Sequence, residues 1–400
     1  MPFSPEAVRE AFPALQEGAA HFDAPGGSLV PQVVADAVRY TLASAMNQRG
    51  TFTVADRRTL ETVRLARLAM ADLLGGDPAG VIFGRSMTQI TFDISRALAK
   101  AWQPGDEIVV SRLDHDANIR PWLYAAQSAG VDVRWVEFDS ATGELTVADV
   151  EAQLTDRTRL VAITAASNLI GTRPPIQQIA QKVHERGALL YVDGVHYAAH
   201  ESVDIEEMGA DFFACAPYKF CGPHCGVLIA APALLETLEP DKLLPSVNTV
   251  PERFELGTPA YELMAGTTAA VDFLAALGGE SAAPTRRERL RNSFAAMAEH
   301  EDGLRRAIEV GLAEHPRITV YSRARLRTPT LLFTVDGMEP STVSAKLGEL
   351  NINAPASNFY ALEASRRIGL GDAGGVRVGL APYSCAGDVD RLLEGLRSIL

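Results

Sequence analysis

The feature that most constrains this chain is a series of short apolar runs, each closing on a polar or ionisable side chain. Leu189-Leu190-Tyr191-Val192 ends on Asp193, with His196 just beyond, and Phe212-Phe213-Ala214-Cys215 leads to Tyr218 and Lys219. Glu107 to Ser111 runs into Asp114-His115, Arg159 to Thr164 into Ser167-Asn168, and Val81-Ile82-Phe83 into the turn Gly84-Arg85-Ser86. Runs this short and apolar on both faces read as parallel strands covered by helices on both sides. Helical segments separate them, as in Met87 to Trp102, where Ile90, Ile94, Ala97 and Leu98 share one face. Strand and helix in alternation imply right-handed crossovers and an α/β fold with a mostly parallel sheet, its ligand site lying beyond the carboxyl ends of the strands. That rule gathers His115, Asn168, Asp193, His196 and Lys219 on one side of the sheet.

An aspartate and a lysine held at neighbouring strand ends suit pyridoxal phosphate. The lysine amine forms a Schiff base with the aldehyde, and the carboxylate keeps the pyridine nitrogen protonated so that the ring accepts electrons. The helix beginning at Met87 and Thr88 offers free amides and a hydroxyl, a seat for phosphate, although an ordinary helix cap has the same appearance. A solvated lysine and a capping aspartate are the plain alternative for Lys219 and Asp193 taken alone. Their alignment with His115 and Asn168 argues for a site.

Other classes fit less well. An excess of thirteen acidic charges, spread along the chain, repels a nucleic-acid backbone. No apolar stretch reaches transmembrane length, and the opening residues lack a basic region and an apolar signal core, so a cytoplasmic protein with no membrane partner is expected. Four cysteines in 400 residues are no disulfide framework. Cys215, Cys221 and Cys225 lack the paired spacing of a zinc site and read as buried thiols, with no metal expected. A G-x-G-x-x-G run after a strand, the mark of a dinucleotide fold, is missing.

Three parts are expected: an arm over residues 1–20, a large sheet domain over 21–274, and a smaller α+β domain over 275–400. Two glycines follow Pro25 in the segment His21 to Ser28 and read as a turn open to close backbone approach. Past the strand Gly226 to Ala230 the pattern loosens, and a long helix entered at Thr285 with Glu288 placed for a capping box follows. In Val376-Arg377-Val378 the arginine faces away from both valines, toward the cleft between domains.

From about His21 to Ser384 the sequence resembles the fold-type I pyridoxal-phosphate enzymes, and among them the class V aminotransferase family that includes the cysteine desulfurases. Asp114-His115-Asp116-Ala117-Asn118 is similar to the segment whose histidine stacks on the cofactor ring. The resemblance implies further that Asn168 lies near the cofactor's phenolic oxygen and the substrate carboxylate, that Asp193 partners the pyridine nitrogen, and that Lys219 is the Schiff-base lysine. It makes Thr88, beside Met87, a phosphate ligand, and Arg377 the residue that grips the substrate α-carboxylate. The segment Phe254 to Pro259 resembles one that reaches the phosphate from a neighbouring subunit, which implies a homodimer with shared sites and a cofactor contact for Thr258.

Three departures stand out. His196 occupies the usual place of a glutamine, and Ala216 and Tyr218 replace a serine and a histidine before the lysine. Residues 351 to 375, which correspond to the segment carrying the nucleophilic cysteine, contain none. The resemblance implies an enzyme working on a small α-amino acid through an external aldimine and a quinonoid. β-Elimination with carbon–sulfur cleavage is the expected outcome, with transamination or epimerisation as alternatives. A non-catalytic protein that binds the cofactor or a metabolite is the alternative of another class.

Overall fold

The computed structural model describes residues 3–278 and 285–400. Its strands, in chain order, are β1 (Ala20–His21), β2 (Val81–Gly84), β3 (Glu107–Ser111), β4 (Asp132–Val136), β5 (Thr158–Thr164), β6 (Leu189–Asp193), β7 (Phe212–Cys215), β8 (Gly226–Ala230), β9 (Ile318–Val320), β10 (Thr330–Val335), β11 (Ile352–Asn353), β12 (Ala356–Ser357) and β13 (Gly375–Gly379). Seven of them form one sheet in the order β2-β8-β7-β6-β5-β3-β4. The pairs from β7 to β4 are parallel, and β8 alone runs against its neighbours. The sheet is mostly parallel, as expected, and the reversal of β8 has a local cause: residues 216–225 hold only a short turn and no crossover helix, so the chain returns beside β7.

The strands β3, β7 and β8, expected from apolar runs, are buried throughout, and β6 is buried from Leu190 onward. Strand β4 was not read from the sequence; Asp132-Val133-Arg134-Trp135-Val136 is an edge with a half-exposed face and carries a weak signal. The helix Met87–Ala99 buries Ile90, Ile94, Ala97 and Leu98 as anticipated, and Ser86 caps it, its hydroxyl accepting from the Gln89 amide. Where the pattern loosens, the structure has a sixteen-residue helix, Tyr261–Ala276. It packs between the helices Gln32–Leu42 and Val54–Leu74 and is apolar nearly all round, which erases the helical period. The long helix Arg286–Ala313 starts at Thr285 with the expected capping box to Glu288.

A second, antiparallel sheet has the order β12-β13-β10-β9. The start of the chain joins this side of the molecule. Strand β1 pairs in parallel with β11, and Ala20 and Phe22 are buried in the same apolar cluster as Leu331, Phe333, Val376 and Val378. Asp23 then bridges to Gly379 at the end of β13. Among the described residues no helix is long and apolar enough to cross a membrane.

Candidate active site

A cavity of about 680 Å³ opens at the carboxyl ends of β3, β5, β6 and β7, and Arg377 of β13 reaches it from the second sheet. Its walls bring together Met87, Thr88, His115, Asn168, Asp193, His196, Tyr218, Lys219 and Arg377. Thr258 is elsewhere in the chain: it accepts from Gln48 Nε2 at 3.5 Å, beside a separate cavity of about 330 Å³ that Arg85 and His224 line.

Lys219 sits in the turn after β7. Its amine donates to the carbonyl oxygens of Pro25 and Gly26 and lies 4.7 Å from the centre of the Tyr218 ring. Burial, reinforced by the Arg377 charge, pulls its pKa down to about 7 despite Asp23 and Asp193. A substantial share of the amine is therefore unprotonated and nucleophilic at neutral pH. Burial raises Asp193 to about 6, and one of its oxygens accepts from the Val195 amide at 2.9 Å. The Lys219 charge opposes that rise, as the Asp193 charge opposes the fall at Lys219.

His115 is held neutral, since burial and then the charges of Lys219 and Arg377 lower it to about 4. Its Nδ1 accepts from the Ala117 amide at 3.0 Å, so the ring proton belongs on Nε2. His196 is fully buried and is likewise held well below its ordinary value by burial, with its Nε2 2.9 Å from the hydroxyls of both Thr328 and Thr330.

At the other end of the cavity the amides of Met87 and Thr88 open a helix, and geometry leaves them without intrahelical partners. The backbone of Ser86 and Met87 comes so close to Gly226 that a Cβ there would lie 2.2 Å from the Ser86 carbonyl carbon. A side chain at that position would push the helix start out of the cavity wall.

Arg377 is 1% exposed, and the partners of its guanidinium line the site. Nη1 donates to the Asn168 carbonyl at 3.0 Å, Nη2 donates to Asp23 Oδ1 at 2.6 Å, and the Phe359 ring covers the guanidinium at 3.6 Å. Its Nε and the Oδ1 of Asn168 are buried with no partner among the described residues. A buried unpaired donor and acceptor beside a cationic fork are what a ligand with a carboxylate and a polar edge would satisfy. Asn168 Nδ2 donates to the Phe359 carbonyl, and the Asp116 amide to the Tyr360 carbonyl, so residues 357–360 are drawn across the mouth.

The sequence reading missed Asp23, Phe359 and Tyr360 as parts of this site. Asp23 had a visible signal, an acid before Pro25-Gly26-Gly27, but nothing along the chain links it to Arg377. Phe359 and Tyr360 fall within residues 351 to 375, a segment the sequence marks only by its lack of cysteine.

Comparison with known proteins shows the family. The family description Aminotransferase class-V matches residues 20–392. The aminotransferase-like protein FGM3 of Gibberella zeae is 35% identical over 417 residues, covering 100% of this chain and 99% of its own. A cysteine desulfurase of Dickeya dadantii is 30% identical over 413 residues, covering 98% of this chain and 96% of its own. The solved structure of the cysteine desulfurase CsdA (S-sulfonic acid) from Escherichia coli has a TM-score of 0.87 at 26% identity, with 100% of this chain and 98% of that chain covered. On its fold, its site and these likenesses, the chain belongs to the class V aminotransferase family.

Proposed function

We propose that this protein is a pyridoxal-phosphate enzyme that acts on a small α-amino acid and releases its β-substituent, with carbon–sulfur cleavage as the reaction. The observation that carries the reading is the single cavity in which Lys219, Asp193, His115, the Met87–Thr88 helix start and Arg377 meet. These residues fit the cofactor. Lys219 would hold its aldehyde, Asp193 its ring nitrogen, His115 its face, Met87 and Thr88 its phosphate, and Asn168, His196 and Tyr218 its remaining edges. Bound there, the cofactor supplies an electron sink for the bonds at the substrate Cα.

The chain's own residues do the rest. Arg377 grips the substrate carboxylate through its fork and fixes the orientation of Cα. Lys219 Nζ, poised near neutrality, takes the Cα proton as a general base. Phe359 and Tyr360, pinned across the mouth, restrict water. Elimination is favoured over sulfur transfer by the state of the thiols. Cys215, Cys221 and Cys225 are buried and burial raises all three, Cys221 to about 12 and Cys225 to about 11. Cys385 is 3.4 Å from Asp388 Oδ2 at a helix start, and none of the four lines the cavity.

The same reading makes the enzyme a cytosolic homodimer whose sites are shared. Its support is that Thr258 lies outside the cavity of its own chain, while Phe52, Leu243 and Leu244 stand 93%, 70% and 96% exposed.

The purified protein is expected to carry the cofactor on Lys219. Lys219→Ala should keep the circular dichroism of the fold and lose the absorbance band of the lysine-bound cofactor; survival of the band overturns the assignment. A panel of amino acids, followed for keto acid, ammonia and sulfide together, tests the reaction. Amino-group transfer without release of a β-substituent would defeat elimination.

A further inference from the structure

Among the described residues Asp23 is the one carboxylate that pairs with Arg377, and the turn it opens also holds Lys219. The Asp23 carbonyl accepts from the amides of Gly26 and Gly27 at 2.9 and 3.0 Å, which closes the turn. At Gly26 an added Cβ would stand 2.4 Å from both Asp23 carboxylate oxygens, so only glycine lets the backbone pass that close. Each end of the turn is tied to an element bearing one of the cations. Ser28 donates to the Tyr218 carbonyl from its amide at 2.9 Å and its hydroxyl at 3.0 Å, next to Lys219 in the chain. On the other side the Gly379 amide donates to the Phe22 carbonyl at 2.7 Å, two residues along β13 from Arg377.

We propose that Asp23 is a positioning residue of this site: its carboxylate holds the Arg377 guanidinium while the carbonyls of Pro25 and Gly26 hold the Lys219 ammonium, so that one turn places both cations and supplies a counter-charge they share. The inference rests on the reading of Arg377 and Lys219 given above. The charges facing Lys219 are Arg377 from β13, Asp193 from β6 and Asp23 from the turn, with the Tyr218 ring beside it and the neutral rings of His115 and His196 within its field. Two cations and two carboxylates balance. Removing the Asp23 charge leaves Arg377 acting on Lys219 with less opposition, which favours the neutral amine.

The test is acylation of Lys219 in the full-length, cofactor-free protein as a function of pH, mapped by mass spectrometry, which needs neither bound cofactor nor turnover. Asp23→Asn keeps an acceptor for Arg377 and loses only the charge. Its labelling midpoint should move to lower pH, with a rate below the wild-type midpoint roughly threefold or more above wild type. Asp23→Glu, which restores the charge, should return the midpoint toward the wild-type value. A folded Asp23→Asn protein with an unchanged midpoint overturns the proposal. Should that variant not fold, the pair Arg377→Gln and Asp23→Asn/Arg377→Gln decides: the double variant must have the lower midpoint, and equal midpoints overturn the proposal. Failure here, with the lysine-bound cofactor band still present in the wild-type holoenzyme, would sink the role of Asp23 and leave the proposed function standing.

Discussion

The carboxyl of Asp114 has no contact with solvent, and burial, the largest influence on it, raises its pKa to about 8, so it carries its proton at neutral pH. Ser111 and Asn118 bond to its two oxygens, and Asn118 in turn accepts from the Trp122 indole at 3.0 Å. A group whose folded pKa is raised stabilises below its unfolded value and loses that contribution as pH climbs toward the folded value, here from about 4 to about 8. Asp114→Asn, permanently neutral, should therefore match the wild type near the bottom of that window. It should exceed wild-type stability by about 1 kcal/mol or more at the top, read from urea unfolding at both ends. Arg377→Ala should weaken amino-acid binding by roughly 2–5 kcal/mol while cofactor occupancy stays near normal, measured by spectral titration; an equal loss of cofactor would remove it from the substrate side. Lys219, Asp193 and His115 were legible in the sequence because each ends an apolar run, a pattern that marks strand ends. Asp23 was not, because its partner Arg377 lies 354 residues away and only the fold joins them.

Among the elements, the segment between β12 and β13 departs furthest from what the sequence could show. Phe359 and Tyr360 both take left-handed backbone angles, φ 51° and 59°, a conformation that bulky side chains rarely adopt. Asp116 and Asn168 hold the two carbonyls in place, so tertiary hydrogen bonds impose a shape that local propensity opposes. A segment pinned in this way, and without a cysteine, is badly suited to carry a thiolate to a substrate sulfur. Incubation with cysteine is accordingly expected to give pyruvate, ammonia and sulfide. Stoichiometric alanine with a persulfide on Cys385, found by mass spectrometry, would contradict this. Strands β3, β5, β6 and β7 were legible because their buried centres are apolar on both faces. The helix Tyr261–Ala276 was hidden for a different reason: apolar and small residues also occupy its less buried face, which blurs the periodicity that identifies a helix.

At the scale of the whole molecule, the shared sites proposed above predict complementation. A Lys219→Ala chain mixed and refolded with a chain altered at Thr258 should recover part of the activity that neither homodimer has, because one mixed site receives both native residues. No recovery in mixed dimers verified by mass would argue that each chain is self-sufficient. The α/β class and the mostly parallel sheet were legible from alternation alone, whereas the pairing of β1 with β11 was not, since it joins segments far apart in sequence through strands of two residues each. That pairing sets an order of assembly on the ribosome. Strands β2 to β8 lie within residues 81–230 and can meet while the rest of the chain is still being made. Ala20 to Asp23 must wait for residues 352–379, which are made after the whole of that sheet. A nascent chain can thus complete the sheet ends that bear Lys219 and Asp193 before it has the corner in which Arg377 meets Asp23.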